Sequence, residues 1–112
     1  MRQRIEIPIL NNEYKVIVCW RKEAIKVLKD WGYPKMDLDE ELKDMRGRCF
    51  WHKGCHPVIV LPKKPETPEE IGTLAHEAIH AVDYIFAMLK ETSSEEVFAH
   101  SVGAVVREVL KR

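Results

Sequence analysis

What the 112-residue chain lacks narrows its reading before any motif is considered. No apolar run approaches the ~20 residues that a membrane-spanning helix needs, so the sequence predicts no transmembrane segment. Neither sign of charge is in excess. Eighteen Lys and Arg balance eighteen Asp and Glu, which argues against a nucleic-acid or membrane-surface partner. Cysteine is scarce and odd in number, three in all, so the sequence predicts a reducing, cytoplasmic setting rather than a disulfide framework. Met1-Arg2-Gln3-Arg4-Ile5-Glu6 is charged where a secretory signal would be apolar. Repeats, low-complexity tracts and linker-like stretches are also missing, and the length predicts a single domain over residues 1–112 with one modest core.

The residues that are present alternate between strand-like and helix-like patterns. Ile5 to Leu10 and Tyr14 to Trp20 are rich in β-branched and apolar residues and flank Asn11-Asn12-Glu13, which reads as a hairpin. Pro8 cannot donate to a ladder, so the first strand belongs at an edge. Lys22 to Trp31 has helical spacing and stops at Gly32. Tyr33 to Arg46 reads as a polar connection with a short helical turn near Asp39 to Met45. Cys49 to His52 and Cys55 to Leu61 flank Lys53-Gly54 as a second hairpin. Thr67-Pro68-Glu69-Glu70 has the form of a capping box with proline at the first helical position, starting a helix that runs to Leu89. A last helix is expected from about Glu95 to Leu110. This order predicts an α+β fold, with a small mixed or antiparallel sheet of two hairpins packed on three helices.

The chemistry concentrates in Thr73-Leu74-Ala75-His76-Glu77-Ala78-Ile79-His80-Ala81-Val82, which contains His-Glu-x-x-His. Histidines four apart rise from one helical face, one turn above the other. Two imidazole nitrogens so placed suit a tetrahedral Zn²⁺, with Glu77 beside them as a base for a zinc-bound water. The other seven residues of the ten are uncharged, whereas an ordinary surface helix scatters Lys and Glu through such a stretch.

On these residues the chain resembles the zincin metallopeptidases, and within them the small gluzincin-type proteins, many of which are phage- or prophage-encoded. The resemblance runs from roughly Gly47 to Val106, about half of the chain. It implies a minimal zincin-like domain, a peptidase activity with Glu77 as the general base, and a peptide or protein substrate held as an added strand. For a phage-encoded protein it implies the cytoplasm of the host cell as the location. The small size of the chain, which leaves little room for a substrate-binding subdomain, makes a dimer, a partner or a substrate that supplies its own strand a candidate part of the active form.

A catalytic zinc takes three protein ligands and keeps one position for water. One zincin group draws its third ligand from six residues past the second histidine, after a glycine turn. That position here is Phe86, with no intervening glycine. The other common solution places a Glu on the following helix, where this chain offers Glu95, Glu96 and His100. Glu96 is preferred, because it precedes Val97-Phe98-Ala99 as the ligand does in the resembled family. It also shares a helical face with His100 and Gly103, and a glycine there would let the two helices approach closely. His100 is its rival, and Glu96 also stands three after Ser93, where it would close a capping box. The metal set is then His76, His80 and Glu96, with Zn²⁺ the only cofactor expected. Tyr84, His100 and Arg107 are candidates for a further oxyanion donor. Cys49, His52, Cys55 and His56 do not match a structural zinc spacing, and strand alternation should divide them between two faces. Trp20, Trp31 and Trp51 read as core or hairpin anchors. The competing reading is a zinc-binding structural or regulatory accessory without catalysis.

Overall fold

The computed structural model describes residues 4–10, 13–35, 37–89 and 95–112. Its strands are β1 (Arg4–Ile9), β2 (Tyr14–Trp20), β3 (Arg48–Phe50) and β4 (Val58–Leu61). Its helices are α1 (Ala24–Asp30), α2 (Leu38–Leu42), α3 (Pro68–Met88) and α4 (Glu95–Leu110). The sheet has the order β1-β2-β4-β3, antiparallel at β1·β2 and β3·β4 and parallel at β2·β4. Two hairpins are thus joined side by side into one mixed sheet, and the architecture is α+β as expected. Asn11 and Asn12, expected to turn the first hairpin, and Ser93, a candidate helix cap, lie outside the described residues.

Alternation along the strands sorts their side chains into two cores. Val16, Val18, Cys49, Ile59 and Leu61 face α3 and α4, together with Ile5, Ile7 and Ile9 of β1. Ile17, Cys19, Phe50, Val58 and Val60 face the opposite way, onto Val27 and Leu28 of α1 and Leu38 and Leu42 of α2. Every residue of β4 is buried, as expected for a strand covered on both sides. The sequence reading placed three helices on the sheet. Among the described residues there are four α-helices, and they divide between its two faces. The segment read as a polar connection carries part of the second core, with Tyr33 buried and its hydroxyl against the carbonyls of Phe50 (3.0 Å) and His56 (2.6 Å).

α3 begins as its sequence dictates. The Thr67 hydroxyl accepts from the Glu70 amide at 3.1 Å, and the Glu70 carboxylate accepts from the amides of Thr67 (3.1 Å) and Glu66 (2.9 Å). These N–H bonds hold the Glu70 carboxyl below its ordinary range. The stabilisation is therefore complete above the usual carboxylate pKa and is lost as the pH falls through the lowered one. Thr67→Ala should destabilise the fold by about 1 kcal/mol, read as a lower urea midpoint at unchanged slope.

Candidate metal centre

α3 carries the candidate site because it can bury only one stripe. Leu74, Ala78, Ala81, Val82, Ile85 and Phe86 pack onto the sheet and α4, which leaves His76 and His80 on the outward face. Their rings meet edge to face with centroids 4.7 Å apart, and their Nε2 atoms stand 3.1 Å apart. Two Zn–N bonds of 2.0–2.1 Å at a tetrahedral angle would separate their nitrogens by about 3.3 Å. The pair is thus spaced as two ligands of one ion are spaced.

Glu77 lies on the flank that turns toward β3. It is 9% exposed, yet its carboxylate makes no hydrogen bond or ion pair among the described residues, and its oxygens are not sealed from solvent. The close approach of β3 to α3 that creates this setting depends on Gly47. A Cβ there would lie 2.7 Å from Thr73 Cγ2, 3.2 Å from Leu61 Cδ2 and 3.4 Å from Glu77 Cγ. Only a glycine lets the chain pass this close to the helix. Beyond it, Cys49 sits in the α3-side core, where burial and then the Glu77 charge push its thiol up to about 12. At the far end of β3, Trp51 stacks at an angle on Tyr84, and the Tyr84 hydroxyl donates to the His52 carbonyl at 2.7 Å. That proton is already committed, so Tyr84 acts here as a tie between α3 and the β3–β4 loop. Trp51, read from sequence as an anchor, is 56% exposed.

The structure does not bring Glu96 to the two histidines. Its side chain is 82% exposed, and its carboxylate lies 3.5 Å from His100 Nε2 on the same helix. The connection between α3 and α4 is short, which makes them antiparallel neighbours. The Phe86–Phe98 ring contact, with centroids 5.5 Å apart, sets their register. Residue 80 is then level with about residue 104, and Glu96 lies roughly eight residues, or about 12 Å, further along the axis. A glutamate side chain does not span that. His100 borders a surface hollow against Pro8, Ile9 and Leu10 rather than the histidine pair. Gly103 is no point of helix contact either, because a Cβ there would meet only Arg107 of its own helix. Glu96, His100 and Gly103 do share a face, as their spacing implies, but Glu96 and His100 on it are exposed. Among the described residues, no three His, Cys, Asp or Glu side chains gather into a group that could hold a metal.

The Cys49, His52, Cys55, His56 set is dispersed, as alternation implied. Cys49 points to the α3 side, and Cys55 lies by Gly32 with Sγ 3.7 Å from its carbonyl. His56 sits between the Tyr14 and Trp31 rings and accepts from the Lys15 amide at 3.3 Å. Sequence reasoning singled out neither Gly47 nor Cys49 as a neighbour of Glu77. An isolated glycine just before a strand was the one available signal. No helix among the described residues is long and apolar enough to cross a membrane.

Two outcomes follow from this geometry. Gly47→Ala should cost about 1–3 kcal/mol through overpacking, and Thr73→Ser, which removes the clashing methyl, should restore part of the loss in a thermal melt. With Cys19 and Cys49 both pushed up to about 12 by burial, only about one in ten thousand of these thiols is ionised at pH 8. Alkylation of the native chain at that pH should therefore add a single label, at Cys55, by mass spectrometry.

No family model, no curated protein and no solved structure matches the chain.

Proposed function

We propose that the chain is a zinc-dependent hydrolase acting on peptide bonds, with His76 and His80 as zinc ligands and Glu77 as the general base. The observation that carries this reading is the 3.1 Å separation of the two Nε2 atoms beside the buried Glu77 carboxylate, which has no hydrogen-bond partner among the described residues. A zinc ion in such a site polarises the scissile carbonyl and makes its bound water acidic. The chain's own residues supply the rest. Glu77 takes a proton from the attacking water and returns it to the leaving amine. Its place beside β3 buries most of the side chain while leaving its oxygens reachable by the attacking water. Among the described residues β3 pairs with β4 alone, which offers its outer edge to a peptide added as a further strand.

Glu96 is the third ligand that the zincin resemblance implies. With α4 seated as described, zinc ligation through Glu96 would require α4 to re-register along α3. The exposed, His100-paired position of Glu96 leaves His76 and His80 as the ligands in place, and the competing reading is an accessory protein that holds zinc without hydrolysing anything.

Elemental analysis separates these readings. Wild type should bind about one zinc per chain, and His76→Ala and His80→Ala should each lose it. Glu77→Gln should keep the metal while peptide cleavage falls by about 10²- to 10⁴-fold. Loss of zinc in Glu96→Ala but not in His100→Ala would establish the third ligand. Zinc bound by wild type with no cleavage of any peptide would favour the accessory reading. A wild-type chain that holds no zinc after reconstitution would sink both.

A further inference from the structure

A cleft of about 420 Å³ opens beside the first two turns of α3, and nothing in the zinc chemistry uses it. Its volume lies within the ~300–1,000 Å³ typical of ligand sites. Leu61 and Pro65 are buried at its base with the half-buried Met45 and Pro62, while Arg46 and Lys63 stand exposed at its mouth. The floor is therefore apolar, and the rim carries both signs, Arg46 and Lys63 with Glu69 and Glu70.

Two placements tie this cleft to the histidine pair. At 100° per residue, Glu69, Thr73, His76, Glu77, His80 and Tyr84 fall within a sector of about 100° on α3, so the cleft lies on the same side of the helix as the candidate site. In the segment that leads into β3, Met45 and Arg46 line the cleft and Gly47 then passes Thr73 and Glu77. Cys49 follows near Glu77, and His52 ends at Tyr84. β3 and α3 thus run side by side, with the cleft at one end and the Trp51–Tyr84 pair at the other. From Glu77 back to the cleft is about 6–12 Å along the helix, and an extended chain advances about 3.3 Å per residue. A peptide laid along β3 with its scissile bond at Glu77 would reach the cleft two to three residues away.

We infer that this cleft is a specificity subsite that takes an apolar side chain of the peptide substrate, two or three residues from the bond to be cleaved. The inference rests on the hydrolase reading for the identity of the occupant. The apolar base disfavours a polar side chain, which would surrender its hydration there, and a charged one could only stay at the rim among Glu69, Glu70, Arg46 and Lys63. Arg46 makes no ion pair among the described residues, and Lys63 makes only a 3.9 Å contact with Glu70. Both cations are therefore disposed to meet carbonyl oxygens of the peptide backbone as it enters.

The test uses the full chain carrying Glu77→Gln, supplied with zinc so that peptides bind without turnover. Acetylated and amidated alanine heptapeptides, each with one leucine or one asparagine at a successive position, are titrated while backbone amides are followed by NMR. Leucine at one position should tighten binding by about tenfold or more over alanine, with the Arg46, Lys63 and Thr73 amides shifting, and asparagine there should not. Lys63→Trp and Arg46→Trp, both at exposed positions, should fill the mouth and reduce the leucine preference to about twofold or less. Equal affinity across the series, or leucine-dependent shifts confined to Trp51 and Tyr84, would overturn the inference. Zinc content and cleavage by the wild-type chain report separately on the hydrolase reading. A chain that binds zinc and cleaves peptides without a leucine preference refutes the cleft alone. Leucine-dependent shifts at the cleft in a chain without zinc support the cleft and refute the hydrolase.

Discussion

The burial of one stripe of α3 is the constraint on which the rest depends. Leu74, Ala78, Ala81, Val82 and Ile85 are entirely buried against the sheet and α4. Rotating the helix would move these groups into water at about 1.5–3 kcal/mol for each large side chain. The rotation of α3 is therefore fixed, and with it everything that its other positions can present. His76 and His80 must face outward, and Glu77, about 100° round from His76, must face the edge of the sheet. The arrangement of the candidate site is a by-product of packing the core.

Gly47 converts that fixed rotation into a defined environment for the carboxylate. Because the chain passes within van der Waals reach of Thr73 and Glu77, Glu77 is nearly buried while its oxygens stay unbonded and reachable by water. An unpaired carboxylate held this way is held at a cost, and a structural role would have given it a donor. The other buried ionisable neighbour, Cys49, stays a neutral thiol, so it neither pairs with Glu77 nor competes as a nucleophile. Tyr84 and His52 close the far end of the same wall, tying the β3–β4 loop to α3. The site is thus bounded by a strand edge on one side and open to solvent on the other.

The sheet explains why so short a chain can display a helix face in this way. β2 and β4 pair in parallel at its centre and are covered on both sides. α1 and α2 on one side and α3 and α4 on the other then need each bury only one stripe. Edge strand β1 satisfies its one-sided position by alternation and by Pro8, which has no amide to offer a further strand. Edge strand β3 has no such block, and it is the edge that runs beside Glu77.

What the sequence determined by itself is what depends on neighbours within one or two turns. The capping box at Thr67, the hairpin strands with their alternating faces, the bounds of α3 and α4, and the meeting of His76 with His80 all follow from fixed local periods. Tertiary structure decided whatever depends on the relation between elements. Glu96, His100 and Gly103 share a face as their spacing requires, but spacing within a helix says nothing about its register against another. The Phe86–Phe98 contact sets that register and leaves Glu96 about 12 Å beyond the histidines. The approach of Gly47 to Glu77, the tie from Tyr84 to His52 and the cleft between Met45 and Pro65 likewise join residues 20 to 32 positions apart. Their geometry is fixed by how the sheet seats α3, which no local pattern encodes.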